Sequence, residues 1–283
     1  MKPKSLLPVL ALGLFTILYT SCKKDDTTTA ADPTEIETTF ALSGNQAIAD
    51  NLTEDANNIM MSVADEKNLT GNKGGGPTTD NFLCATVTVT PQSGFPKTVI
   101  IDFGPLPGCT APNGVIRSGK IQVVISDSLR HPQSTAVMTF DNYHVNGYKK
   151  EGTITWTNTS TPGVRSWRRE VVNGKITAPN GNWWMHDGVK EIVQTEGAGT
   201  INPADDVFHI TGHGTTTNSQ GHSRSHLITE FLEKKNSCEW IDKGKIRFEG
   251  PNHFAILDFG NGDCDNHATV TIDGQTVHNI LLP

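Results

Sequence analysis

Apolar residues recur at helical spacing in one stretch of the chain. Ile48, Leu52, Ala56, Ile59 and Val63 succeed one another at intervals of three and four, which sets them on one face of a helix over residues 45–66. Asp50, Glu54, Asp55 and Asn58 fall largely on the other face, and Ser43-Gly44-Asn45 supplies capping chemistry at the start. Asn68 to Asp80, with Gly74-Gly75-Gly76-Pro77, cannot continue a helix and reads as a linker. The helix is therefore expected as a stalk, or as a lid laid against the C-terminal body of the chain.

From Asn81 onward the period changes to two. Ala85–Thr90 alternates Val and Thr, while Thr98–Phe103 and Lys120–Ser126 are apolar strands. Asn146-Gly147, Asn173-Gly174, Asn180-Gly181, Asp187-Gly188, Asn261-Gly262 and Asp273-Gly274 read as hairpin turns, because these pairs accept the positive φ angles of two-residue loops. Parallel strands need long crossovers, and no helical segment is available to make them. The expected fold is all-β, mainly antiparallel, sandwich-like or an extended meander, preceded by one amphipathic helix.

The first residues add an address. Lys2 and Lys4 precede an apolar run from Leu6 to Tyr19, too short to cross a bilayer comfortably, and Thr20-Ser21-Cys22 comes next. Small residues before a cysteine suit a signal peptidase, and the thiol can be acylated once cleavage leaves it first. The segment resembles the lipobox of bacterial lipoproteins, although Tyr19 stands where Leu is usual. Lys23-Lys24-Asp25-Asp26 and a Thr/Ala/Asp/Pro tract succeed the cysteine, a composition that reads as a tether. A lipobox cysteine with lysines and then acids after it resembles the export signal of Bacteroidota surface lipoproteins. That resemblance covers about the first 30 residues. It implies a lipid anchor on Cys22 and the outer face of the outer membrane, and it implies no activity; a generic polar linker on a periplasm-facing protein is the alternative. The expected organisation is a signal peptide over 1–21, a tether over 22–35, helix and linker over 36–80, and a β body over 81–283.

Charge narrows the partners. The formal balance is −7, and losing Lys2 and Lys4 leaves 21 Lys+Arg against 30 Asp+Glu, or −9. Such a surface repels phosphate backbones, so nucleic acid is excluded and a glycan or protein ligand is expected instead.

A repeat then pairs the cysteines. Cys84…Ile100-Ile101-Asp102-Phe103-Gly104…Cys109 matches Cys238…Ile256-Leu257-Asp258-Phe259-Gly260…Cys264, and each copy runs on into a β segment. Two related modules, at about 84–126 and 238–283, would flank a central meander. An exported chain oxidises its thiols, and equivalent positions should make equivalent bonds, which selects Cys84–Cys109 and Cys238–Cys264.

The remaining chemistry is sparse. The Asp-Phe-Gly tripeptides resemble the kinase metal-binding motif, but no catalytic loop or glycine-rich nucleotide loop accompanies them. Asp258, Asn261, Asp263 and Asp265 offer hard oxygens around a glycine turn, as Ca²⁺ requires, though turn residues occur there for local reasons too. A hairpin with Ser219-Gln220 as its loop would set His213 opposite His226 and His209 opposite Glu230, with His222 on the same face, a set able to hold Zn²⁺ or Cu²⁺, the alternative being a solvated polar face. Phe208, Ile210, Leu227 and Phe231 would form the other face. Adjacent Trp183 and Trp184 must point to opposite sides of a strand, which would expose one of them as a platform for a sugar; the alternative is that these aromatics simply fill the core. Gly221-His222-Ser223-Arg224-Ser225 lacks the second glycine of a nucleophile elbow. The sequence thus favours a non-catalytic binding or structural module with no required cofactor. A Zn- or Ca-dependent protein or hydrolase using the histidine hairpin or the acidic turn is the second reading.

Overall fold

The computed structural model describes residues 32–71, 84–200 and 202–283. Cys22 and Gly74-Gly75-Gly76-Pro77 lie outside these residues. Within them, fourteen strands form one sheet: β1 (Thr86–Thr90), β2 (Lys97–Asp102), β3 (Cys109–Thr110), β4 (Ile116–Ile125), β5 (Thr135–Val145), β6 (Tyr148–Asn158) and β7 (Ser166–Thr177), then β8 (Trp183–Glu196), β9 (Val207–Asn218), β10 (Ser223–Lys235), β11 (Lys243–Gly250), β12 (His253–Asn261), β13 (His267–Ile272) and β14 (Thr276–Leu281). Neighbours in sequence are antiparallel neighbours in space, apart from β3, which caps β4 beside the main path β2–β4. The sheet is open, with β1 and β14 as its edges. The all-β expectation, in its meander form, holds.

The helix α1 spans Pro33–Glu66, with Asp32 as its cap accepting from Thr34 N, so it begins inside the stretch read as tether. It is neither stalk nor lid. All six residues from Ala49 to Glu54 are buried. Six consecutive helical residues turn through more than a full circle, so burial must come from every side. The sheet supplies it by curling round the helix.

Polar partners mark that enclosure strand by strand. On β4, Arg117 pairs with Asp55, to which Tyr143 Oη of β5 also donates at 3.1 Å. Lys150 of β6 donates to Thr53 Oγ1 at 2.9 Å, and Arg169 of β7 lies 2.6 Å from Glu54 Oε1. Lys190 of β8 meets Asp50 at 2.5 Å; Thr216 of β9 donates to Gln46 Oε1 at 2.7 Å; Arg224 of β10 pairs with Glu35. Nearer the far edge, the His278 ring of β14 lies 4.6 Å from Phe40, and Asn51 donates to the Pro283 carbonyl at 2.9 Å. The acids on the face opposite the apolar stripe are therefore turned into the sheet as well. The apolar stripe still packs inward: Leu52, Ala56, Ile59 and Val63 belong to the same core as Ile121, Met138, Ile154 and Leu257.

A seam of bulges bends the sheet. Ladder registers shift between Ser118 and Lys120, Thr139 and His144, Glu151 and Thr153, Val171 and Gly174, and Leu227 and Leu232. Such shifts increase local twist and bend a strand. Gly152, at φ 106°, and Gly212, at φ 144°, lie on this seam, where an added Cβ would come within 2.5 Å of Asn173 O and 2.2 Å of Val189 O. Two of the expected hairpin turns belong to it as well. Asn173-Gly174 lies inside β7, with Asn173 at φ 53°, and Asp187-Gly188 lies inside β8 opposite Thr215 and Gly214. Both pairs serve backbone approach and curvature, and neither reverses the chain.

The two repeat copies are β1–β2–β4 and β11–β12–β13, joined into one continuous sheet. Cys84 is bonded to Cys109 and Cys238 to Cys264. In each copy the aspartate accepts from the glycine N two residues on at 2.9 Å, and the phenylalanine is buried. The tripeptide is a strand-end corner. The copies differ in their lysine: Asp102 meets Lys120 of the next strand along the sheet, whereas Asp258 faces Lys245 of the preceding one.

Asp50→Ala leaves the buried Lys190 ammonium without its carboxylate and should lose about 3–5 kcal/mol in urea unfolding. Glu191→Ala, which removes the exposed Arg168 pair, should lose under about 1 kcal/mol. Peptide mapping without reduction should recover the two links above and no Cys84–Cys238 link. Replacing Cys238 and Cys264 together should remove about 3.5 kcal/mol through loss of a loop constraint spanning 26 positions.

Candidate functional site

Between the C-terminal half of α1 and the concave sheet lies a cavity of about 550 Å³. That size suits a small organic molecule. Strand alternation builds its apolar wall: Ala136 from β5, Trp156 from β6, Ile192 from β8 and Ile210 from β9 point inward, and Met60 and Met61 face them from the helix. Trp167 and Phe208 meet edge to face, with centroids 6.1 Å apart, and line it together. A second hollow of about 350 Å³ shares Arg130, Asn158 and Trp167 with this wall.

The polar lining is unevenly charged. Glu54 and Asp55 are neutralised by Arg169 and Arg117. Asp65, Asp206 and Glu239 have no ion-pair partner among the described residues, and Arg130 and Lys234 are the cations of the wall. The Lys234 ammonium is committed to the backbone, donating to the carbonyls of Lys235 and Cys238, and burial lowers its pKa. Asp206 is 8 % exposed, and its Oδ1 accepts from Gln194 Nε2 at 2.7 Å. Burial pushes its carboxyl up to about 6, with Asp205 and Asp65 adding repulsion and Arg130 and Arg165 offsetting part of it. Burial likewise raises Glu239, at the exposed rim. A carboxyl titrating near 6 inside a cavity is also what acid–base catalysis uses. Here its one hydrogen-bond partner among the described side chains is the Gln194 amide, and the acids that act on it are Asp205 and Asp65.

The histidine hairpin is arranged otherwise than its sequence suggested. Asn218 N bonds to His222 O across a three-residue loop, Ser219-Gln220-Gly221, with Gly221 at φ 86°. One extra loop residue slips the ladder by one, so His213 faces Leu227 and His226 faces Gly214. His226 consequently points inward at 5 % exposure, while His213 and His222 are exposed. The shift between Leu227 and Leu232 then brings His209 opposite Glu233 instead of Glu230, with Nε2 to Oε2 at 3.5 Å, and Phe208 opposite Lys234 instead of Phe231. His209 stacks on Phe231 at 3.8 Å on the outer face, and Glu230 pairs with Lys245. Leu227, expected on the face opposite the histidines, is 54 % exposed beside them, whereas Ile210 is core. Burial drives His226 down to about 4, although the nearby Asp50 works the other way.

At the acidic turn, Asp258 accepts from Gly260 N, Asp265 accepts from His267 N at 2.9 Å, and Asp263 O accepts from Asp265 N. Among the described residues no group of three or more His, Cys, Asp or Glu is gathered as a metal ion would require. Trp184 is 3 % exposed and Trp183 37 %, divided between the faces as alternation demands. Trp183 carries Lys175 at 4.9 Å over its ring. The cavity was missed from sequence because its wall draws on many strands and loops, although the alternation placing Trp156 and Ile192 inward was readable. Comparison with protein-family models, curated proteins and solved structures gave no match for this chain.

Asp206 gives a pH signature. Its folded value, about 6, lies above the ordinary 3.8, so the folded chain holds a proton that the unfolded chain releases. Its contribution is complete below about pH 4 and is lost as pH rises through 6. Asp206→Asn keeps the Gln194 contact and removes the charge. It should therefore raise the melting temperature at pH 7.5 and change it little at pH 4; an equal change at both values would contradict the assignment.

Proposed function

We propose that this chain is a lipid-anchored lipoprotein of the bacterial outer membrane, displayed on the cell surface, whose β body is a non-catalytic binding module that holds its ligand between helix and sheet. The observation that carries the binding reading is the cavity: a preformed space of about 550 Å³ in which aromatic and aliphatic side chains share the wall with many amide, hydroxyl and charged groups. The anchor reading rests on the charged, apolar and small-residue segments that end at Cys22. No helix among the described residues is long and apolar enough to cross a membrane.

Each half has its own test. Cells grown with a clickable palmitate analogue should label the chain, and Cys22→Ala should abolish the label; an unlabelled wild-type chain would remove the anchor. For the module, the purified full chain should take up one equivalent of the neutral probe N-phenyl-1-naphthylamine in equilibrium dialysis. Met61→Trp, which adds bulk to the cavity wall, should cut uptake severalfold without lowering the melting temperature by more than a few degrees. Uptake indifferent to that substitution would place the probe elsewhere.

A further inference from the structure

Resting on the binding reading above, we infer that the cavity selects an amphipathic amine: a molecule with an apolar body and one protonated nitrogen. The wall has two unlike parts. Trp156, Trp167, Phe208 and Met60 offer an apolar and aromatic surface large enough to take a chain or ring from water. Asp65, Asp206 and Glu239 bring negative charge to the same space, and none of them has a cation within salt-bridge distance among the described residues. The opposing charge is weak. Lys234 spends its ammonium on two carbonyls, and Arg130 already acts on Asp206.

A carboxylate kept in a partly dry wall without a counter-ion gains most from a ligand that carries one. An ammonium entering beside Asp206 supplies the missing charge, and the aromatic rings favour a cation nearby. An anion would have to approach three carboxylates for the sake of one guanidinium. A neutral ligand would gain apolar contact and hydrogen bonds to the amides and hydroxyls of the wall, and no charge contact. The whole chain's excess of acids, 30 against 23 bases, favours the same sign of ligand at longer range.

The test uses one alkyl chain with three head groups. The full chain is titrated calorimetrically at pH 7.5 with dodecylamine, dodecanol and dodecanoate. The amine should bind about tenfold more tightly than the alcohol, the scale of one charge-assisted contact, and dodecanoate most weakly. The double variant Asp65→Asn, Asp206→Asn should remove the amine's advantage and leave dodecanol unchanged, which separates lost charge from lost fold. The advantage should also shrink as pH falls through 6, since Asp206, flanked by Asp205, Asp65, Arg130 and Arg165, takes up its proton there. Equal affinity for amine and alcohol, or tightest binding of dodecanoate, would overturn the amine assignment and leave the binding module standing. Failure of all three probes to bind would overturn both.

Discussion

A helix carrying acids on several faces can be enclosed by protein only where cations are waiting. Burying a lone carboxylate costs far more than any single packing contact returns. In this chain Asp50, Glu54 and Asp55 lie within six residues of one another in the enclosed part of α1. Lys190, Arg169 and Arg117 reach them from three different strands. Burial opposes the charge on Asp50, and the adjoining Lys190 nevertheless holds its pKa below the ordinary value. Lys150, which donates to Thr53, has no ion-pair carboxylate among the described residues and has Arg169 nearby, is pushed by burial down to about 7. These contacts fix how far along its axis the helix sits and how it is rotated. Apolar packing alone tolerates a sliding helix; a ladder of matched charges does not.

The curvature of the sheet arises from the same requirement. Strands that all face one helix must turn round it, and ordinary pleated ladders do not bend that sharply. The bulges at Gly152, Gly212 and their neighbours provide the bend, and close backbone approach at those points excludes a side chain. Inward histidines use the same device: the His226 ring lies where a Cβ on Gly214 would be, and His186 does so over Gly174. Glycine here makes room for rings and for curvature together.

Local signals were legible in the sequence and long-range ones were not. Period-two alternation gave the strands, and the internal repeat gave Cys84–Cys109 and Cys238–Cys264, because both depend on spacing within one segment. The enclosure of the acidic helix face was not legible, because the partners of Asp50 and Glu54, Lys190 and Arg169, lie more than a hundred positions away. Asn173-Gly174 and Asp187-Gly188 carry the same chemistry whether the chain reverses or bulges, so residue type alone could not separate the two. The histidine hairpin failed by a single residue in its loop, and that slip was enough to divide His213 from His226. The cavity depends on which side chains meet across the curl, and no pattern within one segment reports that.

The long reach of the helix contacts bears on how the molecule assembles. Glu35 meets Arg224 across 189 positions and Asn51 meets Pro283 across 232. Early in synthesis the acidic segment therefore emerges with none of its basic partners yet made. Chains dominated by such distant pairings fold slowly. Until the later strands arrive, the segment must stay in water as a polyanion, a state its carboxylates tolerate well and a greasy helix would not. The charge that looks costly in the finished molecule thus keeps the waiting segment soluble.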